Sequence, residues 1–204
     1  MKKLIAAIAL SVIAYSQLNA QSVAFKVGYS HSDVIVSPEP ANIFTPKETF
    51  HAGIVVKDIM LTDKIGLQPE LLYSMQGFHV ASVGNVGIHY LSVPLLVTFP
   101  VTEQLQLQVG PQVSYMINSR VGVVSDLFSV TYNGLFHDID AGAVAGMEFK
   151  ATDNISIGGR YYLGMTNVNK DFSFGNNKNL SDFFQMRNTG LQAYVSFSFG
   201  GKKL

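Results

Sequence analysis

The sequence predicts an all-β fold, an eight-stranded antiparallel up-and-down transmembrane β-barrel. Three observations carry this: apolar/polar alternation over eight segments, connections that alternate long and short, and a low content of charge. Alternation is clearest in Ile65–Gln76, Leu105–Tyr115 and Leu191–Phe199, where odd positions are mainly apolar and even ones mainly small or polar. A period of two sends successive side chains to opposite faces, so these are two-faced strands.

The segments fall at 23–31, 49–59, 64–77, 87–99, 104–118, 137–150, 154–167 and 188–199. Most reach the length of about 9–11 residues that a tilted strand needs to cross a bilayer. The links 60–63, 100–103 and 151–153 are short, whereas 32–48, 78–86, 119–136 and 168–187 are long. Long and short alternate strictly, beginning with long. A barrel with both termini in the periplasm does this, with short periplasmic turns and longer outer loops. The long links include Ser37-Pro38-Glu39-Pro40 and Gly175-Asn176-Asn177-Lys178-Asn179, both coil compositions.

Charged residues make up 14% of the 204 residues, against about 25% in ordinary soluble domains. Such a chain need not turn its whole surface to water. Lys+Arg and Asp+Glu both number 14, for a formal net charge of zero, so no nucleic-acid partner is expected. The chain has no cysteine, which excludes disulfides, thiolate metal sites, a cysteine nucleophile and a lipidated cysteine. Residues 1–20 read as a signal peptide: Lys2 and Lys3 start it, Leu4–Ala14 is the apolar stretch, and Leu18-Asn19-Ala20 is the cleavage site. Residues 21–204 are then the barrel domain, and the expected location is the outer membrane of a Gram-negative bacterium.

Alternation alone does not say which face meets lipid; a lipocalin-like soluble barrel would turn its apolar face inward. One face here carries Val23, Phe25, Val27 and Tyr29, then Ile139, Ala141, Ala143, Ala145, Met147 and Phe149. The other carries Lys26, Lys57, Glu70, Asp138, Asp140, Glu148, Lys150 and Arg160, with Gly66, Gly110, Gly142, Gly146, Gly158 and Gly164 among them. Glycines on an exterior face would weaken the strands, whereas in a narrow interior they leave room. The polar face is therefore placed inside. Eight strands leave an interior about wide enough for side chains to fill, which argues against a wide pore.

Glu70 and Arg160 lie on the third and seventh segments, each about six residues from the short-turn end, and so face each other across the interior. A buried charge needs a partner, and Arg can grip a carboxylate with two parallel hydrogen bonds. The expectation is a structural network of lumen charges, a Glu70–Arg160 contact shared with Glu148 or Lys26. The alternative is that each charge pairs with a different neighbour or with trapped water.

Several stretches resemble the PorT-like outer-membrane β-barrel proteins of Bacteroidetes. They are Leu67-Gln68-Pro69-Glu70-Leu71-Leu72-Tyr73-Ser74-Met75-Gln76-Gly77, Tyr90-Leu91-Ser92-Val93-Pro94-Leu95-Leu96, Val109-Gly110-Pro111-Gln112-Val113 and Arg160-Tyr161-Tyr162-Leu163-Gly164-Met165-Thr166. The resemblance covers essentially all of the chain after the leader. It implies an outer-membrane barrel and, for the name-giving branch, a link to protein secretion. The tail Gly200-Gly201-Lys202-Lys203-Leu204 after Phe199 departs from the aromatic end common in such barrels.

His137-Asp138-Ile139-Asp140 is the strongest catalytic candidate, a conceivable metal site or His–Asp base, but it lacks orienting groups. No G-x-S-x-G elbow or phosphate loop is present, and no cofactor is expected. Three readings stay open: a structural or interaction barrel, a membrane-embedded lipid-modifying or proteolytic enzyme, and a narrow channel or small-ligand receptor. The expected partners are outer-membrane lipid and a protein met by the long outer loops. Phe44, Leu127, Phe128, Leu135, Phe136, Phe172, Phe174, Phe183 and Phe184 in those loops fit either partner contact or loop self-packing.

Overall fold

The computed structural model describes residues 22–38, 44–81, 84–123, 129–131, 136–169, 173–174, 178–179 and 185–199. The leader 1–20, the tail from Gly200 and the loop residues Leu127, Phe128, Leu135, Phe172, Phe183 and Phe184 lie outside them. The eight long strands are β1 (Ser22–Ser37), β2 (Phe44–Lys57), β3 (Ile65–Val80), β4 (Gly84–Pro100), β5 (Leu105–Val123), β6 (Ile139–Lys150), β7 (Ile155–Gly164) and β8 (Gln185–Phe199). Each pairs antiparallel with its neighbours in sequence. β8 also pairs with β1, from Val23 opposite Phe199 to Ser37 opposite Gln185. The sheet is thus a closed up-and-down barrel in which each of the eight strands pairs with a neighbour on both sides, as a bilayer-spanning sheet must.

The strands differ from the predicted segments mainly at the long-connection end. β1 to β5 run 14 to 19 residues, while β6 and β7 have only 12 and 10. One wall therefore stands taller than the other, and the links after β1, β3 and β5 are shorter than the alternation suggested. The link after β2 also differs. Asp58 takes a left-handed conformation (φ 61°), which breaks the strand. Asp tolerates that region better than most residues. Ile59–Thr62 then resumes pairing with β3, and the chain reverses at Asp63 and Lys64. A bulge lies in β2 between Pro46 and His51, and a second irregularity falls where His89 and Tyr90 meet β5.

Phe25, Val27, Tyr29, Leu107, Val109, Val113, Met147, Ile157, Tyr161 and Leu191 all project outward and exposed. The opposite face of the same strands is buried, including Lys26, Glu70, Gln108, Asp140, Glu148 and Arg160. Phe25, Phe99, Phe149, Phe197 and Phe199 stand near the short-turn end of the exterior, and Tyr29, Phe50, Tyr73 and Tyr115 towards the other. This is the girdle pattern of a bilayer-spanning barrel.

Candidate functional site in the barrel lumen

Period-two geometry sends Lys26 of β1, Gln68 and Glu70 of β3, Arg160 of β7 and Gln192 and Tyr194 of β8 into one space. Lys26 Nζ lies 2.6 Å from Glu70 Oε1, and Arg160 Nη1 lies 2.7 Å from Glu70 Oε2. Gln68 donates to Glu70 Oε1 at 2.8 Å. The guanidinium is not bidentate on the carboxylate. It divides its donors, giving Nη1 to Glu70 and Nε to Gln192 Oε1 at 2.5 Å. Lys26 Nζ also sits 3.9 Å from the centre of the Tyr194 ring, where a cation meets the negative face of the π system. The Tyr194 hydroxyl donates to Gln108 at 3.1 Å. Side chains from β1, β3, β5, β7 and β8 are thereby tied across the middle of the lumen.

Glu148 takes its ion-pair partner from a second group of side chains, while its charge also acts on Tyr194 and Lys26 of this cluster. It lies opposite Gly158, two residues nearer the short-turn end than Arg160. There Lys57 Nζ meets Glu148 Oε1 at 2.6 Å and donates to Ser156 and Ser196 at 3.2 and 2.7 Å, and Gln106 donates to Glu148 at 3.3 Å. Lys57 was legible as a polar-face residue but not as the partner of Glu148, which depends on closure bringing β2 opposite β6. Nearer the long-connection end, Asp140 accepts from Tyr162, Asn188 and Thr166 at 2.9, 2.9 and 2.8 Å. The buried charged side chains among the described residues are Lys26, Lys57, Arg160, Glu70, Asp140 and Glu148, so the formal signs balance.

The mid-strand glycines make room for the rings. A β-carbon at Gly158 would come within 2.4 Å of the Tyr194 ring, and one at Gly142 within 2.8 Å of the Tyr162 ring. At Gly28 it would stand 2.4 Å from the His51 imidazole. That explains why glycine sits on the polar face of these strands.

Beyond the polar layers the lumen turns apolar. Val34, Phe78, Val86, Ile88, Tyr90, Met116, Phe136, Val168 and Met186 form one buried cluster, with Phe44 edge-on to Phe78. Phe136 lies just before β6, Val168 just after β7, and Met186 at the start of β8. Backbone bonds from His137 to Val168 and from Val168 to Met186, both 2.8 Å, hold that segment in place. Two of the loop aromatics, Phe44 and Phe136, thus pack onto the barrel's own interior.

His137 and Asp138 are exposed, whereas Asp140 is fully buried and held by the three bonds above. The motif's imidazole and inner carboxylate therefore do not converge. Among the described residues no three His, Asp or Glu side chains gather as a metal site.

Residues 15–170, covering β1 to β7, match the family described as outer membrane protein beta-barrel domain. Among solved structures the chain resembles Neisserial surface protein A at 14% identity, over 87% of this chain and 97% of that one, with a TM-score of 0.56. It also aligns with the attachment invasion locus protein Ail of Yersinia pestis at 13% identity, over 87% and 98%, with a TM-score of 0.48. No curated protein matches it in sequence. The closed barrel, its apolar exterior and a family match over three quarters of the chain agree, and the protein belongs to the outer membrane protein beta-barrel domain family.

Proposed function

We propose that this protein is a plugged outer-membrane barrel with a structural or interaction role, exported by a signal peptide at 1–20 and presenting its long connections outside the cell. The carrying observation is the filled lumen. The Lys57–Glu148 pair, the Lys26–Glu70–Arg160 cluster and the apolar cluster follow one another along the barrel interior. The charge network serves as a structural plug, which favours this reading over a channel, and the divergence of His137 from Asp140 favours it over an enzyme.

The finer reading is a PorT-like protein of Bacteroidetes that supports protein secretion or surface assembly. Two of the segments that carry the resemblance supply the two sides of the central ion pair, Glu70 from β3 and Arg160 from β7. A protein partner would meet the long connections.

The test is site-specific photocrosslinking in intact cells, with probes at 175–177 and at Thr102. A discrete protein adduct from 175–177 and none from Thr102 is the expected result. The reverse pattern, or single-channel conductance of the purified barrel in planar bilayers, would overturn the reading.

A further inference from the structure

We propose that the lumen binds a small cluster of water molecules at one level, between the Glu70 ion pairs and the apolar cluster, held by His51, Ser74, Gln76, Asn188 and Arg160. The site rests on the filled-lumen reading above and adds a ligand to it. Six buried atoms carry the argument. His51 Nε2, Ser74 Oγ, Gln76 Nε2 and Oε1, Asn188 Oδ1 and Arg160 Nη2 are shut off from solvent and have no hydrogen-bond partner among the described residues.

Strand register brings these atoms to one level. Residues directly opposite on neighbouring strands share a face. Gly28 of β1, His51 of β2, Ser74 of β3 and Tyr90 of β4 form one such row. Gln76 is the next lumen residue along β3, just short of Phe78 and the apolar cluster. From the end of the row Tyr90 reaches across to β8, where its hydroxyl accepts from Asn188 Nδ2 at 3.2 Å. A second row runs from Arg160 through Gln192 to Ser30. Ser30 Oγ meets His51 Nδ1 at 2.9 Å, and the Arg160 charge reaches the same imidazole. Ser30, Ser32, Ser74 and Gly190 all face the lumen here, and their small side chains leave room between the walls.

Charge and hydrogen-bonding capacity identify the occupant. On the short-turn side, Lys26, Arg160 and Glu70 carry one excess positive charge; on the other, Asp140 is a buried carboxylate that accepts from Asn188. An anion here would meet Asp140, and a cation would meet Lys26 and Arg160. The six atoms are also of both kinds. Arg160 Nη2 and Gln76 Nε2 donate, Gln76 Oε1 and Asn188 Oδ1 accept, and the hydroxyl and the imidazole nitrogen can do either. An ion satisfies one kind only, whereas water satisfies both. Leaving all six unpaired would cost as much as a typical domain's whole stability. At about three hydrogen bonds per buried water, about two molecules serve them. The ion pairs close this level on one side and Phe78, Ile88 and Met116 close it on the other, so these waters exchange slowly.

The test is oxygen-17 relaxation dispersion of water with the full barrel refolded in detergent micelles, which detects waters held far longer than in bulk. The wild type should show long-lived water, and Ser74→Ala with Gln76→Leu should hold about one or two molecules fewer. Thr98→Val, at a buried lumen residue near the short turns, should lose none. If the double variant does not fold, Gln76→Leu alone should lose signal. Crystals of the wild type grown in sodium bromide should then show water density, without an anomalous peak, within hydrogen-bond distance of His51 Nε2 and Ser74 Oγ. No long-lived water, equal signals from wild type and variants, a bromide peak at the site, or a crystal structure in which the six atoms bond one another would each overturn the proposal. Single-channel conductance would instead overturn the plug itself, so the two readings fail separately.

Discussion

The two ends of this barrel are built on opposite rules, and the same strands obey both. Towards the short turns the exterior is apolar and the interior carries ion pairs. Towards the long connections the exterior carries His31, Glu48, His89 and Arg120, and the interior becomes Val34, Phe78, Ile88 and Met116. Along the lumen face of β3 the sequence passes from Gln68 and Glu70 through Leu72, Ser74 and Gln76 to Phe78; along β5 it passes from Gln108 through Gln112 and Ser114 to Met116. The alternation never changes phase at these steps on β3. What changes is which face is apolar. One half is a membrane protein, inside out, and the other is an ordinary water-facing sheet closed on an apolar core. The strands tolerate the switch because the bilayer, not the sheet, decides which face must be apolar.

The largest expected effect lies in the charged half. Glu70 serves both Lys26 and Arg160, so Glu70→Gln would leave two buried cations facing each other without their shared carboxylate. It should cost about 3–5 kcal/mol, the range for breaking a buried pair. Arg160→Ala should cost less, because Lys26 remains to hold Glu70. Urea unfolding in lipid vesicles measures both, and equal losses would show that Lys26 does not share the carboxylate.

In the apolar half the cost should follow lost volume rather than charge. Ile88→Ala should destabilise by about 2–5 kcal/mol through cavity formation. Combined with Glu70→Gln, the two losses should add, since the sites share no partner. Strong coupling in the double variant would mean that the halves are not independent.

The exterior offers a third contrast. Leu107 is on the lipid face but opposite Phe99 and Met147, near the short-turn girdle, while Val109 lies closer to the middle of the band. Val109→Arg should cost about 2–4 kcal/mol, and the same change at Ile117, beyond Tyr115, about 1 kcal/mol or less. Gln108, beside Val109 but in the lumen, should accept substitutions that fit the interior. Equal losses at Val109 and Ile117 in a lipid folding assay would move the membrane boundary past Tyr115.

The smallest effect is expected where the halves meet. Ser92 and Ser114 share a 2.9 Å bond between buried hydroxyls. Ser92→Ala should cost about 0.5–1.5 kcal/mol, one neutral hydrogen bond. A loss as large as that of Glu70→Gln would show that the transition level, not the ion pairs, holds the lumen together.

Much of this was legible in the residues. Leu105-Gln106-Leu107-Gln108-Val109 declares its two faces by itself, and so does the run from Ile139 to Lys150. Glu70 and Arg160 could be matched because opposite strands and similar distances from the short turns are simple to count. Lys57 with Glu148 was not legible, since Glu148 has two cations within plausible height and only the stagger of the closed barrel puts Lys57 in reach. The outer lumen was misread for a different reason. Residues 78–86 and 119–136 looked like connections because polar residues such as His79, Asn85 and Arg120 interrupt the apolar face there. The strands nevertheless run on through them, to Val80, from Gly84 and to Val123.

By itself the sequence determined the strand count, the pairing order and the face on which the mid-strand residues sit, because period two and connection length are local properties of an extended chain; at the strand ends it failed, since Asp138 and Lys150, expected inside, are exposed. Only the tertiary structure decided which charges meet, which glycines shelter Tyr194, Tyr162 and His51, and where the interior turns from ion pairs to packed hydrocarbon. Those outcomes depend on stagger around a closed ring, where the height of every side chain is set by seven other strands.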